Sequence, residues 1–247
     1  MRFCLIDALM TRLALFDFDG TLLADDSQLL FCQFVLRKEG LRRLFLPFAA
    51  AFAPAGLAGL LGSRELKRVF LSYLWLMPRG QVEAYAREFA ETVIPPLLYP
   101  ALLAEVERHR REGRTLVLNS ASPEFYIREI GRVLGFDHSI GTRVVLGKWQ
   151  PLIAEIDGDN NKREAKLPRL EELGLLPCDR ADSWAYSDSH ADLPMLRLAG
   201  HVVCVNPTEP LAAEAARHGW STVRPERPWS TKAGQARRAL VQVLGLK

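Results

Sequence analysis

Apolar residues fall along this chain in short unbroken runs, and most runs end at a small or acidic residue before a stretch of helical spacing begins. Leu13, Ala14, Leu15 and Phe16 form the first run; it ends at Asp17 and meets Gly20, the pattern of a buried strand opening into a turn. Further strands are predicted at residues 115–118, 183–186 and 201–205. Helices are predicted at residues 101–111, from Pro123 and Glu124 onward, and at 162–173, 192–198, 211–218 and 233–244. Gly113 is placed to cap the first of these and Ser122 the second. Pro168 either kinks the third or marks a fresh first turn. Residues 139–150 are predicted as a small hairpin turning at Gly147 and Lys148, and Asn206, before Pro207, reads as a cap for the following turn.

Strands alternating with helices between residues 95 and 220 predict crossover units and an α/β fold with a mostly parallel sheet. The first strand is cut off from this series by about 70 residues that read as helix, which predicts an inserted cap. The expected division is a core of residues 11–27 and 95–224, a helical cap of residues 28–94, and a tail of residues 225–247 that packs on the core. Asp17 and Asp19 then leave the sheet at its C-terminal edge, where open α/β folds hold their ligands.

Composition narrows the classes further. A formal net charge of +3, from 32 Lys and Arg against 29 Asp and Glu, gives no reason to expect nucleic acid as a partner. Cys4, Cys32, Cys178 and Cys204 lack any paired or metal-ligand spacing and read as thiols of a reducing, cytoplasmic compartment. The first nine residues lack a cleavage-site pattern and make a poor signal peptide; with Met10 available as a start, they read as an extension without chemistry.

Asp17 and Asp19 are one residue apart, so at a strand end both carboxylates can reach one cation or substrate. Asp17-Phe18-Asp19-Gly20-Thr21-Leu22 resembles the first motif of the haloacid dehalogenase-like hydrolase superfamily. Its remaining motifs follow in order: Ser120 after a strand, Lys166 opening a helix, and Asp188 with Asp192. The resemblance implies a Rossmann-like core, Mg2+ as cofactor and hydrolysis of a phosphate monoester through an aspartyl phosphate. It assigns Asp17 as nucleophile, Asp19 as general acid and base, and Ser120 and Lys166 as holders of the phosphoryl oxygens. The implied metal donors are Asp17, the Asp19 carbonyl and Asp188, with Asp192 ligating through water or orienting a donor. In related proteins the lysine follows a Gly-x-x-Lys segment; here Arg163 replaces the Gly, so Lys162 stays open as the alternative to Lys166.

The insert resembles the helical cap of the phosphoserine-phosphatase-like branch, and Tyr186 to Pro194 also fits that branch. Asp25 or Asp26 stands where phosphoserine phosphatases carry a substrate-binding glutamate. Candidate substrate contacts are Asp26, Arg68, Ala121 and His190; the other histidines have no ligand spacing and read as structural. Ser120-Ala121-Ser122 departs from the Ser-Gly-Gly of true phosphoserine phosphatases, which argues against phosphoserine itself.

Residues 44–63 carry no charge and include three Phe and five Leu. As one helix they would span about 30 Å, but two prolines and three glycines interrupt them, so a broken apolar hairpin is expected. Flanked by Arg42, Arg43, Arg64, Lys67 and Arg68, it either meets the headgroup region of the inner membrane peripherally or packs the cap together. This arrangement loosely resembles the bacterial phosphatidylglycerophosphatase C family, which implies a phospholipid headgroup as an alternative to a phosphorylated small molecule. Transfer of the phosphoryl group to an alcohol and a non-enzymatic binding role are the competing functions; dehalogenation is disfavoured by the metal carboxylate at Asp188.

Overall fold

The computed structural model describes residues 10–229 and 231–246, so the expected N-terminal extension, with Cys4, lies outside the described residues. Strand β1 (Leu13–Phe16) is followed by helices α1 (Ser27–Lys38), α2 (Leu46–Ala51), α3 (Ala53–Leu57), α4 (Ser63–Phe70), α5 (Arg79–Glu88) and α6 (Pro100–Arg111). The chain continues through β2 (Thr115–Pro123), α7 (Glu124–Leu134), β3 (His138–Thr142), α8 (Lys166–Glu172), β4 (Trp184–Ser187) and α9 (Leu193–Leu196). It ends with β5 (His201–Val205), α10 (Glu209–His218), β6 (Ser221–Val223) and α11 (Lys232–Val243).

The six strands form one sheet in the order β3-β2-β1-β4-β5-β6, and every pairing is parallel. Leu15 pairs with Val117 on one side and Ala185 on the other, so β1 is central. Its four residues are buried because helices cover both faces: Ala14 and Phe16 enter one apolar cluster, Leu13 and Leu15 the other. The first cluster runs on without a break into the helices after β1, where the Phe31 ring packs on Tyr126 at 5.1 Å and on Phe89 at 5.2 Å. Strand order reverses between β1 and β4, the switch point where such sheets open a crevice at their C-terminal edge.

Two local expectations are corrected, and one strand was not anticipated. Residues 138–142 do not turn back as a hairpin arm; they pair in parallel with β2, and Trp149 and Val144 make only isolated bridges, to Pro78 and Ile156. Ile140, Gly141 and Thr142 are buried and β3 packs against α7, and that burial fixes the segment in the sheet. The exposed strand β6 carries no apolar run and so left no signal in the sequence. Asn206 does not cap α10, whose N-cap is Thr208; instead its side-chain amide donates to the Pro225 carbonyl at 2.9 Å.

Residues 44–63 fold into α2, α3 and the turn after them, and neither helix buries a residue. Leu44, Leu57 and Leu60 are 75%, 91% and 78% exposed, while Phe45 and Leu46 pack against the core. The basic side chains around it are engaged within the protein: Arg42 with Glu39, Arg43 with the Leu244 and Gly245 carbonyls, and Arg64 with the Ile156 and Gly158 carbonyls. Among the described residues no helix is long and apolar enough to cross a membrane.

Candidate active site

The loop after β1 is a tight turn built on Phe18. The Phe18 carbonyl accepts hydrogen bonds from Leu22 at 2.9 Å and Leu23 at 3.1 Å, and the Asp17 N–H extends the sheet by donating to Tyr186 at 3.0 Å. Gly20 closes the turn with φ of +81°, a left-handed conformation, and an added Cβ would collide with the Asp188 carboxylate. Thr21 ties the two strand ends together: its hydroxyl donates to Asp17 Oδ2 at 3.3 Å and accepts from the Asp188 N–H at 3.1 Å. Asp17 and Asp188, 171 residues apart in sequence, thereby stand side by side at the switch point.

The end of β2 brings the hydroxyls. Ser120 and Ser122 donate to Asp19 Oδ2 at 3.3 and 2.7 Å, while the Ser27 N–H donates to Oδ1 at 2.6 Å, so the Asp19 carboxylate is held from three sides. Ser122 therefore does not cap α7, whose N-cap position is Pro123 without a side-chain bond; the hydroxyl is drawn to the carboxylate instead. Asn161 donates to Asn119 Oδ1 and to the Ser120 carbonyl, at 2.7 and 2.8 Å, and fixes the strand end.

Lys166 opens α8 and is 1% exposed, with its ammonium 2.9 Å from Asp17 Oδ1 and 2.8 Å from Asp192 Oδ1. Arg163 has φ of +59°, the left-handed conformation that a glycine would adopt freely, so the arginine substitution leaves the turn into the helix intact. Lys162 lines the same cavity from an exposed position and makes no hydrogen bond or ion pair there among the described residues. Pro168 sits in the first turn of α8, where its missing N–H costs nothing. Ser187 donates to Asp192 Oδ2 at 2.7 Å and turns that carboxylate back toward Lys166.

Burial raises the Asp17 carboxyl well above its usual range, Asp192 and Asp188 add repulsion, and Lys166 opposes them. Asp188 is pushed up to about 7 by burial and then by Asp192. Burial alone would lower Lys166, but the charges of Asp17 and Asp192 raise it above its ordinary value.

These groups line the floor of a cavity of about 890 Å3. One wall is apolar, with Leu46, Ala49, Ala50, Ala53, Leu66 and Phe70. Asp26 lines the cavity with an exposed side chain and caps α1: its Oδ1 accepts from Gln28 at 2.8 Å and Leu29 at 3.2 Å, while the surrounding protein walls, which thin its solvent shell, and the nearby Asp19 charge push it up to about 6. Ala121 lies on the lining too. Two expected contacts are corrected, since His190 is exposed and outside the lining, and Arg68 turns away to donate to the Ala154 carbonyl at 2.8 Å. The neighbouring Lys67 faces the cavity instead, bonded to Asn160 Oδ1 at 2.6 Å and to the Ala121 carbonyl, and burial lowers its ammonium to about 8 against the pull of Asp19 and Asp26. Only its place on the buried face of α4, next to Arg68, could have marked it in the sequence.

The family model of haloacid dehalogenase-like hydrolases matches residues 14–197. The chain belongs to that family. A protein from Streptomyces azureus, "Inhibition of morphological differentiation protein", is 31% identical over 87% of this chain and 79% of its own length. A histidinol-phosphatase from Neisseria meningitidis is 30% identical over 85% of this chain and 97% of its own. A solved structure from Bordetella pertussis, described as a protein of unknown function, aligns with a TM-score of 0.71 at 27% identity, covering 87% of this chain and 98% of that one.

The donor set suits the magnesium ion on which haloacid dehalogenase-like phosphatases generally rely. Asp17 and Asp192 share the single Lys166 ammonium, and Asp188 adds its charge beside Asp17, a local excess of negative charge that a divalent cation would offset. Among the described residues no three Asp, Glu, His or Cys side chains already converge as a ligand cluster, but magnesium needs only one or two carboxylates and completes its shell with water and phosphate. Asp17, Asp188 and the Asp19 carbonyl would be the donors; Asp192 is already engaged by Lys166 and Ser187.

The packing of this turn has a measurable consequence. Gly20→Ala adds a Cβ against Asp188 in a left-handed conformation, so it should lower unfolding stability by about 1–3 kcal/mol. Urea unfolding of the variant checks this, and an unchanged midpoint would mean the turn is looser than described.

Proposed function

We propose that the protein is a magnesium-dependent phosphomonoester hydrolase working through an aspartyl-phosphate intermediate. One observation carries this reading: Asp17 and Asp188 stand at neighbouring strand ends, with Thr21 bonded to the Asp17 carboxylate and the Asp188 N–H and with the Lys166 ammonium on Asp17. Asp17 attacks phosphorus in line, its oxygen bonding to phosphorus as the ester oxygen leaves. Asp19, oriented by Ser27, Ser120 and Ser122, gives the leaving oxygen its proton and then takes one from the water that hydrolyses the acyl phosphate. Lys166 and Ser120 neutralise and orient the phosphoryl oxygens. Bound magnesium would supply charge neutralisation between the attacking carboxylate and the phosphoryl group.

The helical insert, residues 28–94, acts as the cap over this site and selects the alcohol. Asp26 offers the cavity a carboxylate oxygen that makes no hydrogen bond among the described residues, which suits an amine on a small phosphorylated alcohol, and the histidinol-phosphatase relative agrees with that class. A second reading, a phosphate on a lipid headgroup reached by peripheral membrane contact through residues 44–63, is favoured by the apolar wall and by the exposed Leu44, Leu57 and Leu60. The engagement of Arg43 and Arg64 with backbone carbonyls counts against a basic lipid-binding rim.

Phosphate release is the deciding assay, with histidinol phosphate, phosphoserine and phosphorylethanolamine set against lysophosphatidate and phosphatidylglycerophosphate in mixed micelles. A soluble amino-alcohol phosphate should lead by at least about tenfold in kcat/KM, or about 1.4 kcal/mol of barrier. A lead for the micellar substrates would instead establish the second reading. EDTA should abolish turnover and magnesium restore it; full activity after chelation would refute the metal-dependent mechanism.

A further inference from the structure

The match to the hydrolase family ends at residue 197, yet the last part of the chain reaches the catalytic cavity. After β6 the chain passes the C-terminal end of β5, where Arg227 donates to the Asn206 carbonyl at 3.0 Å. It then lays α11 along α1. Three features hold the helix there. Arg238 Nη2 donates to Asp25 Oδ2 at 2.9 Å and Gln242 donates to Asp25 Oδ1 at 2.7 Å, with the Asp25 side chain 3% exposed. Gln33, Arg37 and Arg43 donate to the carbonyls of residues 244–246, groups that a helix end leaves without partners and where positive charge is favoured. Gly245, with φ of +66°, lets the backbone approach so closely that a Cβ there would stand 2.8 Å from Leu36 Cβ.

This docking puts Val243 on the cavity lining. Asp25, the anchor of the latch, immediately precedes Asp26, which caps α1 and lines the same cavity. Arg238 stays partly exposed but the Asp25 carboxylate is buried, so removing its partners strands a buried charge and the contact fixes geometry more than it adds net stability.

We propose that α11 is a specificity element of the enzyme: Val243 limits the alcohol that the cavity accepts, and Arg238 with Gln242 positions it through Asp25. The inference rests on the phosphatase reading above. Arg238 touches no reacting atom and acts as a positioning residue, so its effect belongs on KM and not on the chemical step.

Full-length variants test it with p-nitrophenyl phosphate as a bulky ester and methyl phosphate as a compact one. Val243→Trp should raise KM for the bulky ester by about tenfold or more and for the compact one by under about threefold. Arg238→Ala should raise KM for the bulky ester by about fivefold with kcat within about twofold, and Arg238→Lys should restore it. A merely structural role would lower kcat together with the melting temperature and leave KM alone, and that result would overturn the positioning claim. Unchanged KM for both esters in the Val243→Trp protein would overturn the specificity claim, even if the Arg238 variants fail to fold. Wild-type protein that releases phosphate from no ester would instead sink the phosphatase reading, and this inference with it.

Discussion

Asp17→Asn should reduce magnesium-dependent phosphate release by at least about 10^4-fold while leaving the protein folded. The amide retains an oxygen that can accept the hydrogen bond from Lys166 and removes one negative charge from a site where Asp17, Asp188 and Asp192 repel one another. Burial already works against the ionised form of this side chain, so the neutral isostere should melt within a few degrees of the parent or above it. The chemistry is lost because an amide cannot open an attack on phosphorus. Initial rates by phosphate detection and a thermal melt on the same preparation separate the two effects. Turnover undiminished in the variant would remove Asp17 as the nucleophile.

The parts of the fold that were legible are those where burial leaves a continuous apolar signature. Leu13 to Phe16 and Val202 to Val205 are covered on both faces, and such strands read as unbroken runs. β6 was not legible because its three residues are exposed and polar pairing, not burial, holds them at the sheet edge. β3 was misread as a hairpin arm because His138 and Ser139 are half-buried polar residues, and nothing local distinguishes a parallel partner some 20 residues away from an antiparallel one close by.

The gathering of the motif residues at the strand ends was legible for a different reason. Residues at strand ends are ordered by the sheet itself, so a motif read in sequence also fixes a position in space. Cap-side contacts have no such frame. Arg68 and Lys67 are adjacent, and which of them faces the cavity depends on the rotation of α4, which the packing of Val69 and Lys67 inward decides. The contribution of Val243 and the latch to Asp25 spans more than 200 positions and follows no motif, so only the folded chain reveals it.

The choice between the two lysines carries the second large effect. Lys166→Met should lower stability by about 3–5 kcal/mol, since it leaves the buried carboxylates of Asp17 and Asp192 without their shared cation. For a chain of this size that corresponds to a fall in Tm of roughly 6–20 °C. Magnesium should recover part of that loss, and should raise the Tm of the variant more than that of the parent, because a divalent ion would offset the same excess charge. Activity should fall by about 10^3-fold even in the folded fraction, as one fixed donor to the phosphoryl oxygens disappears. Lys162→Ala removes an exposed ammonium that has no ion pair among the described residues, so its cost should stay within about 1 kcal/mol, or roughly fivefold in kcat/KM. Combining Asp17→Asn with Lys166→Met should recover stability relative to Lys166→Met alone, because the Asn discharges one of the stranded carboxylates. Equal losses for the two lysine variants, or purely additive stability in the double variant, would show that Lys166 is not the cation that holds this carboxylate cluster together.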